Sequence, residues 1–139
     1  ILYLSSRRRS WAMREREEGY RAAMGRARVK PRMLIGVAED RLMRAVESYR
    51  PTALFCHNDW LALSAIRLLS KHGLRVPEDL SVLGIDNSPS FVALFPETTT
   101  LEYPVNSVAA RVVKALEGKE KGGARGRFKV VERQTVRRV

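Results

Sequence analysis

Pro51-Thr52-Ala53-Leu54-Phe55-Cys56-His57-Asn58-Asp59 carries an apolar run of strand length that ends in a polar pair able to cap a helix. The segment behind it, to His72, is of helix length and apolar almost all round, with Trp60, Leu61, Leu63, Ile66, Leu68 and Leu69. A helix of that kind is expected to be covered on more than one side. Gly73 supplies the stop, Pro77 follows, and Leu80 to Ile85 is a second apolar strand that runs into Asp86. Strand, helix and strand in this order make a right-handed parallel unit, because two parallel strands need a crossover of about this length.

The same alternation extends outward from this unit. Toward the N-terminus, Ile1 to Ser5 reads as a strand. Ser10 can cap a helix running to about Arg26, with Met13, Tyr20, Ala23, Met24 and Ala27 on one stripe. Pro31 starts a new element: Met33 to Val37 is a strand, and Asp40 to Tyr49 a helix with Leu42, Met43, Val46 and Tyr49 inward, stopped by Pro51. Toward the C-terminus, Ser88-Pro89-Ser90 begins a short helical turn through Phe91 and Leu94 that Pro96 closes. Beyond the threonine-rich Thr98 to Leu101, a helix from Pro104 or Val105 to Gly118 carries Val108, Val112, Ala115 and Leu116 on one face. A charged, glycine-rich connector, 119–126, leads to a final strand, Phe128 to Val136. The pattern predicts an α/β fold: an open, doubly wound, mostly parallel sheet with helices on both faces and ligands at the carboxyl ends of its strands.

With 45% hydrophobic and 29% charged residues among 139, the chain has the apolar mass of one soluble globular domain, which excludes a disordered chain and a disulfide-stapled mini-protein. No apolar run approaches the roughly 18 to 20 residues of a membrane helix, and Ile1-Leu2-Tyr3-Leu4 does not open like a secretory signal. The single Cys56 cannot form an internal disulfide or a structural zinc site. A cytoplasmic protein without membrane contact, metal or cofactor is expected. A strand starting at residue 1 without an initiator Met suggests a piece of something longer.

The net charge of +11 invites a nucleic-acid reading, but it is lopsided. Residues 1–50 carry 13 Lys/Arg against 6 Asp/Glu, residues 51–105 carry 3 against 6, and residues 106–139 carry 10 against 3. Arg14 to Glu18 alternates in sign as a solvated helix face does, and no aromatics interleave Arg7-Arg8-Arg9, the cations from Lys119 to Arg127, or Arg137-Arg138. Direct nucleic-acid binding by this segment is therefore disfavoured.

The expected ligand edge collects Ser5-Ser6, His57-Asn58-Asp59 and Asp86-Asn87. Taken singly, Asn58 and Asp59 read equally as a helix cap, Asp86 as the start of a turn, and Arg16 as a side chain snorkelling over the sheet edge. Together the Asp86 carboxylate and the Asn58 amide emerge where a crevice is expected, and Arg16, close to the apolar stripe of its helix, is expected to face protein or ligand more than water. Catalytic readings are weaker. Cys56 and His57, adjacent on a strand, point to opposite faces and cannot work as nucleophile and base on each other. His72 sits at a helix C-terminus, where a cation is favourable in any case. Gly122, Gly123 and Gly126 follow a helix rather than a strand, so they do not read as a phosphate loop. An enzyme is not expected.

These residues resemble a known family. Pro51 through Leu63, Gly73 through Asp86, and Pro96 with Thr98-Thr99-Thr100 look like the effector-binding domain of the lactose/galactose repressor (LacI/GalR) family, which has the type I periplasmic sugar-binding fold. Upstream, Glu15-Arg16-Glu17-Glu18-Gly19-Tyr20 resembles that family's Glu-Arg-x-x-Gly-aromatic helix. Downstream, Glu132-Arg133-Gln134-Thr135 resembles its closing strand. The resemblance implies that Arg16, Asn58 and Asp86 reach into an interlobe cleft and hydrogen-bond an effector. Asp accepts from two neighbouring hydroxyls, Arg donates a planar fork and Asn does one of each, which suits a sugar, polyol or nucleoside. His57, preceded by Cys56, is a departure, since the family has a small residue before Asn-Asp.

The resemblance covers only the second half of a two-lobed domain. It implies residues 1–103 as the C-terminal lobe, 104–118 as a crossover helix of the missing N-terminal lobe, and 119–139 as connector and returning strand. It further implies a homodimer with Leu63, Phe91 and Leu94 at the contact, and DNA bound through an absent N-terminal domain. A sugar-binding component of a transport system is the alternative. With its first lobe absent, the stripe of Val105, Val108, Val112 and Leu116 is expected to dock on a neighbouring chain or fold back on its own sheet. A stripe left open to solvent would count against the half-domain reading.

Overall fold

A computed structural model describes residues 1–6, 10–119 and 127–137. Its elements in chain order are β1 (Leu2–Ser5), α1 (Trp11–Arg26), β2 (Arg32–Ile35), α2 (Glu39–Tyr49), β3 (Ala53–Cys56), α3 (Asp59–Lys71), β4 (Ser81–Asp86), α4 (Pro89–Leu94), β5 (Thr100–Glu102), α5 (Val105–Leu116) and β6 (Lys129–Val131). They form one six-stranded sheet in the order β2-β1-β3-β4-β5-β6. All neighbours are parallel except β5 and β6, which are antiparallel. The chain moves from β1 to one side for β2 and then back across for β3, β4 and β5. Right-handed crossovers therefore put α1 on one face and α2 and α3 on the other.

Alternation along the strands assigns each face its core. Leu2, Leu4, Leu54, Cys56 and Val82 turn toward α2 and α3, where they pack with Leu42, Ala45, Ala62, Ala65 and Leu69. Tyr3 and Phe55 turn the other way, toward α1. There Tyr3 stacks on Tyr20 with ring centroids 5.1 Å apart. The Tyr20 hydroxyl is 2.8 Å from Ile1 O and accepts from Arg32 N at 3.0 Å, so one side chain ties α1 to the start of two strands. Burial pushes the Tyr3 phenol up to about 12 and raises the Cys56 thiol, so both stay protonated at neutral pH.

Several expectations change. Tyr49 does not face inward: it ends α2 on the surface, with the Arg32 guanidinium 4.5 Å from its ring centroid. α3 is apolar all round without being covered all round. Ala62, Ala65 and Leu69 are buried, whereas Trp60 is 53% exposed. β2 stops at Ile35, because Gly36 takes φ +75° and turns the chain out of the sheet. The closing strand pairs only over Lys129–Val131, after which the Arg133 N–H donates to Thr99 Oγ1, and Thr135 bonds Thr99 and Val82 through its hydroxyl and accepts from the Val82 N–H through its carbonyl. α5 has no buried residue, and Leu116 is 84% exposed. It has not folded back on its own sheet, which leaves docking against a neighbouring surface as the other outcome expected for its stripe. Arg7-Arg8-Arg9, most of the connector and Arg138 lie outside the described residues.

Candidate functional site

Because β1, β3 and β4 are parallel and in register, with Leu4 opposite Cys56 and Phe55 opposite Leu83, their carboxyl ends share one edge. His57-Asn58 and Asp86-Asn87 therefore emerge side by side. Arg16, projecting from α1, joins them. Its Nη1 donates to His57 O at 2.6 Å and its Nη2 lies 3.2 Å from Asp86 Oδ1. The pair lines an open cavity of about 870 Å³, together with Glu102 at the end of β5, Tyr103, and Asn106 in the first turn of α5. The next residue of α1, Glu17, accepts a 2.5 Å hydrogen bond from the buried Ser5 hydroxyl, fixing the helix over the end of β1.

Asp86 and Asn87 have φ of +121° and +51°, two consecutive left-handed residues that are not glycine. Such conformations cost of order 1 to 3 kcal/mol each and persist only where neighbours enforce them. The enforcing groups are visible. The Asn87 N–H donates to Asp59 Oδ2 at 2.8 Å, and Asn87 Oδ1 accepts from Arg133 Nη2 at 2.8 Å. Asp59 is almost fully buried, and its other oxygen accepts from Thr100 Oγ1 at 2.5 Å. Burial raises its pKa, against the opposing pull of those two hydrogen bonds.

Of the three residues singled out from sequence, the structure brings Arg16 and Asp86 into contact. Asn58 stands beside His57 on the same edge, but its Oδ1 is engaged as the N-cap of α3, accepting from Leu61 N at 2.8 Å. One of the two acceptor positions of that oxygen is thus used within the fold. Asp59, expected to share in the cap, instead serves as a pin between strands, and Arg133 and Gly84 belong to the same assembly. The sequence signal for them was slight: one glycine inside an apolar strand, and one arginine in a short closing segment.

His57 is half-buried, with Nδ1 3.4 Å from the Tyr3 hydroxyl. Burial first and then Arg16 lower its pKa, while Asp86 and Glu17 pull the other way. Because the folded value lies below the ordinary histidine value of 6.5, the unfolded chain takes up the proton first as pH falls. The stabilisation is complete above that value and drains away as pH drops through it. Urea unfolding midpoints between pH 8 and pH 5 are expected to fall less steeply in His57→Gln than in the parent; equal slopes would contradict this.

The surface set shows a correction. Leu94 is 65% exposed and Leu63 half-buried, but Phe91 is only 1% exposed. It points inward from the short α4 and meets Trp60 edge to face at 5.3 Å and Phe95 at 5.2 Å. Phe91 is core, and Trp60 and Leu94 form the exposed apolar surface above it. Among the described residues no group of three or more metal-ligating side chains comes together, and no helix is long and apolar enough to cross a membrane.

Comparison with known proteins agrees with this geometry. Residues 1–138 match the periplasmic binding protein-like domain. The HTH-type transcriptional repressor PurR of Vibrio cholerae is 35% identical over 141 residues, covering 91% of this chain and 42% of that protein. PurR of Aliivibrio fischeri is 46% identical over 79 residues, 57% of this chain and 23% of that protein. The lac repressor dimer bound to operator and the anti-inducer ONPF superposes with a TM-score of 0.80 at 26% identity, covering 98% of this chain and 52% of that one. A LacI-family transcriptional regulatory protein from Corynebacterium glutamicum gives 0.78 at 28%, covering 98% and 58%. The chain spans about two fifths of the PurR of Vibrio cholerae and roughly half of these solved structures. The chain belongs to the periplasmic binding protein-like domain family, in the form found in the effector-binding domains of LacI-family regulators.

Proposed function

We propose that this chain is the C-terminal lobe of the effector-binding domain of a bacterial LacI-family transcriptional regulator, and that it senses a small hydroxyl-rich molecule, a sugar or related polyol or nucleoside. The observation that carries the reading is the Arg16–Asp86 pair at the carboxyl edge of the sheet, with Asp86 held in a strained conformation toward an open cavity. A carboxylate accepting from neighbouring hydroxyls, beside a guanidinium fork, is the chemistry such a ligand needs. On this reading residues 104–118 belong to the opposite lobe, which covers the open stripe of α5, and 119–139 return to this one. The chain spans about half of the solved relatives, as one lobe of two would. The intact regulator is then a cytoplasmic homodimer that meets itself through Leu63, Leu94 and the neighbouring Trp60, and binds DNA through an N-terminal domain.

The test is a thermal-shift screen of the intact protein against sugars, polyols and nucleosides. A compound present at 100 times its Kd adds about 2.7 kcal/mol to stability, enough to raise Tm by several degrees. A screen in which anionic or purely apolar compounds shift Tm and no hydroxyl-rich one does would overturn the assignment of ligand class.

A further inference from the structure

Arg133 lies on the short segment after β6, outside the cavity that Arg16 and Asp86 line, yet its bonds converge on the turn that presents Asp86. Nη2 donates to Asn87 Oδ1 at 2.8 Å and Nη1 to Thr98 O at 2.6 Å, while its backbone N–H donates to Thr99 Oγ1 at 2.9 Å. From the other side Asp59 takes the Asn87 N–H. The left-handed Asn87 is thus gripped by its backbone from the start of α3 and by its side chain from the end of the chain. Asn87 tolerates φ > 0 better than most residues, but Asp86 at φ +121° lies well outside the usual left-handed well. Fixing residue 87 removes the freedom by which residue 86 would relax.

We infer that Arg133 is a positioning residue: through Asn87 it holds the Asp86 carboxylate toward the cleft, and its grip on Thr98 and Thr99 ties that carboxylate to the segment leading into β5, from whose end the chain leaves for α5. Ligand contact at Asp86 and the placement of the crossover are then coupled through one guanidinium. A planar fork with fixed donors suits this work, since it meets an amide oxygen and a carbonyl at once, which a lysine ammonium does only loosely. The inference rests on the reading of Asp86 as a ligand group, but the grip on Asn87 is a separate claim and is measured without ligand.

The experiment compares the intact protein with Arg133→Ala, Arg133→Lys, Asn87→Gly and the Asn87→Gly, Arg133→Ala double variant. Hydrogen exchange of the residue 87 amide is read against the amides of Leu54 to Cys56 in the central strand β3, which report overall opening. Arg133→Ala is expected to speed exchange at residue 87 at least tenfold more than at the central strand, and Arg133→Lys to restore little of it. Titration calorimetry with D-galactose and adenosine as probes then follows for whichever the parent protein binds. Arg133→Ala weakens that binding about tenfold or more in the parent, but much less on the Asn87→Gly background, because glycine holds φ > 0 without help. Uniform acceleration at residue 87 and the central strand would make Arg133 a general stabiliser and overturn the inference. An equal loss of affinity on both backgrounds would also overturn it, by showing that Arg133 acts through Thr98 and Thr99 alone. If neither probe binds the parent, the proposed ligand class loses support while the exchange result still decides the grip on Asn87.

Discussion

Gly84→Ala is expected to lower the unfolding free energy of the intact protein by about 3 to 5 kcal/mol, although it adds one methyl group. A Cβ built on Gly84 would lie 2.2 Å from Asp59 Oδ1 and 3.1 Å from the Asp59 Cα. The second distance matters more, since the start of α3 itself stands in the way and a rotamer change alone cannot make room. Moving the carboxylate breaks its bonds to Thr100 and Asn87 and leaves a buried acid short of partners. Against a total stability of about 5 to 15 kcal/mol this is a large loss. A cycle with Asp59→Ala separates the causes. If the clash is with the Asp59 side chain, the double variant is barely worse than Asp59→Ala alone; if it is with the backbone at the start of α3, the two losses add; a Gly84→Ala variant as stable as the parent would sink the crowding argument. Urea midpoints at fixed slope provide the measurement.

The same assembly shows what a sequence can and cannot reveal. β3 and α3 were legible to within a residue, because Leu54 and Cys56 alternate, Asn58 caps and Gly73 stops, all of them local signals. The edge carrying Arg16 and Asp86 was legible too, since a parallel sheet puts every strand's carboxyl end on one side. The contact of Asp59 with Gly84 and Thr100 was not, because it depends on how far α3 settles over β4, a matter of tertiary register that no spacing records. Periodicity also shows which residues share a face without showing whether that face is covered. That is why Tyr49, on an apolar stripe, is expected inward and is found on the surface; the surface place expected for Phe91 came from the family resemblance and not from spacing. The open stripe of α5 is the same lesson on a larger scale. Its apolar spacing is a property of the chain, whereas its cover, on the reading proposed here, belongs to a lobe outside this segment.

Asp86→Gly is expected to move binding and stability in opposite directions. If the carboxylate takes hydrogen bonds from two neighbouring ligand hydroxyls, each charge-assisted bond contributes about 1.5 to 3 kcal/mol, so losing both weakens effector affinity by roughly two to four decades. DNA binding should persist, because the carboxylate stabilises only the ligand-bound state. Without ligand, however, Asp86 sits at φ +121°, where a side chain is strained and glycine is not. Its ion pair with Arg16 offsets little of that strain, since the carboxylate side chain is 42% exposed and solvent screens the interaction. Relief of strain should therefore leave the glycine variant at least as stable as the parent, with a gain of up to about 1 to 2 kcal/mol. Asp86→Ala shares the binding loss but not the relief, so it marks off the backbone contribution. If the glycine variant proved markedly less stable while still answering its effector, Asp86 would be a structural turn residue. The strain at the end of β4 would then have no ligand to explain it.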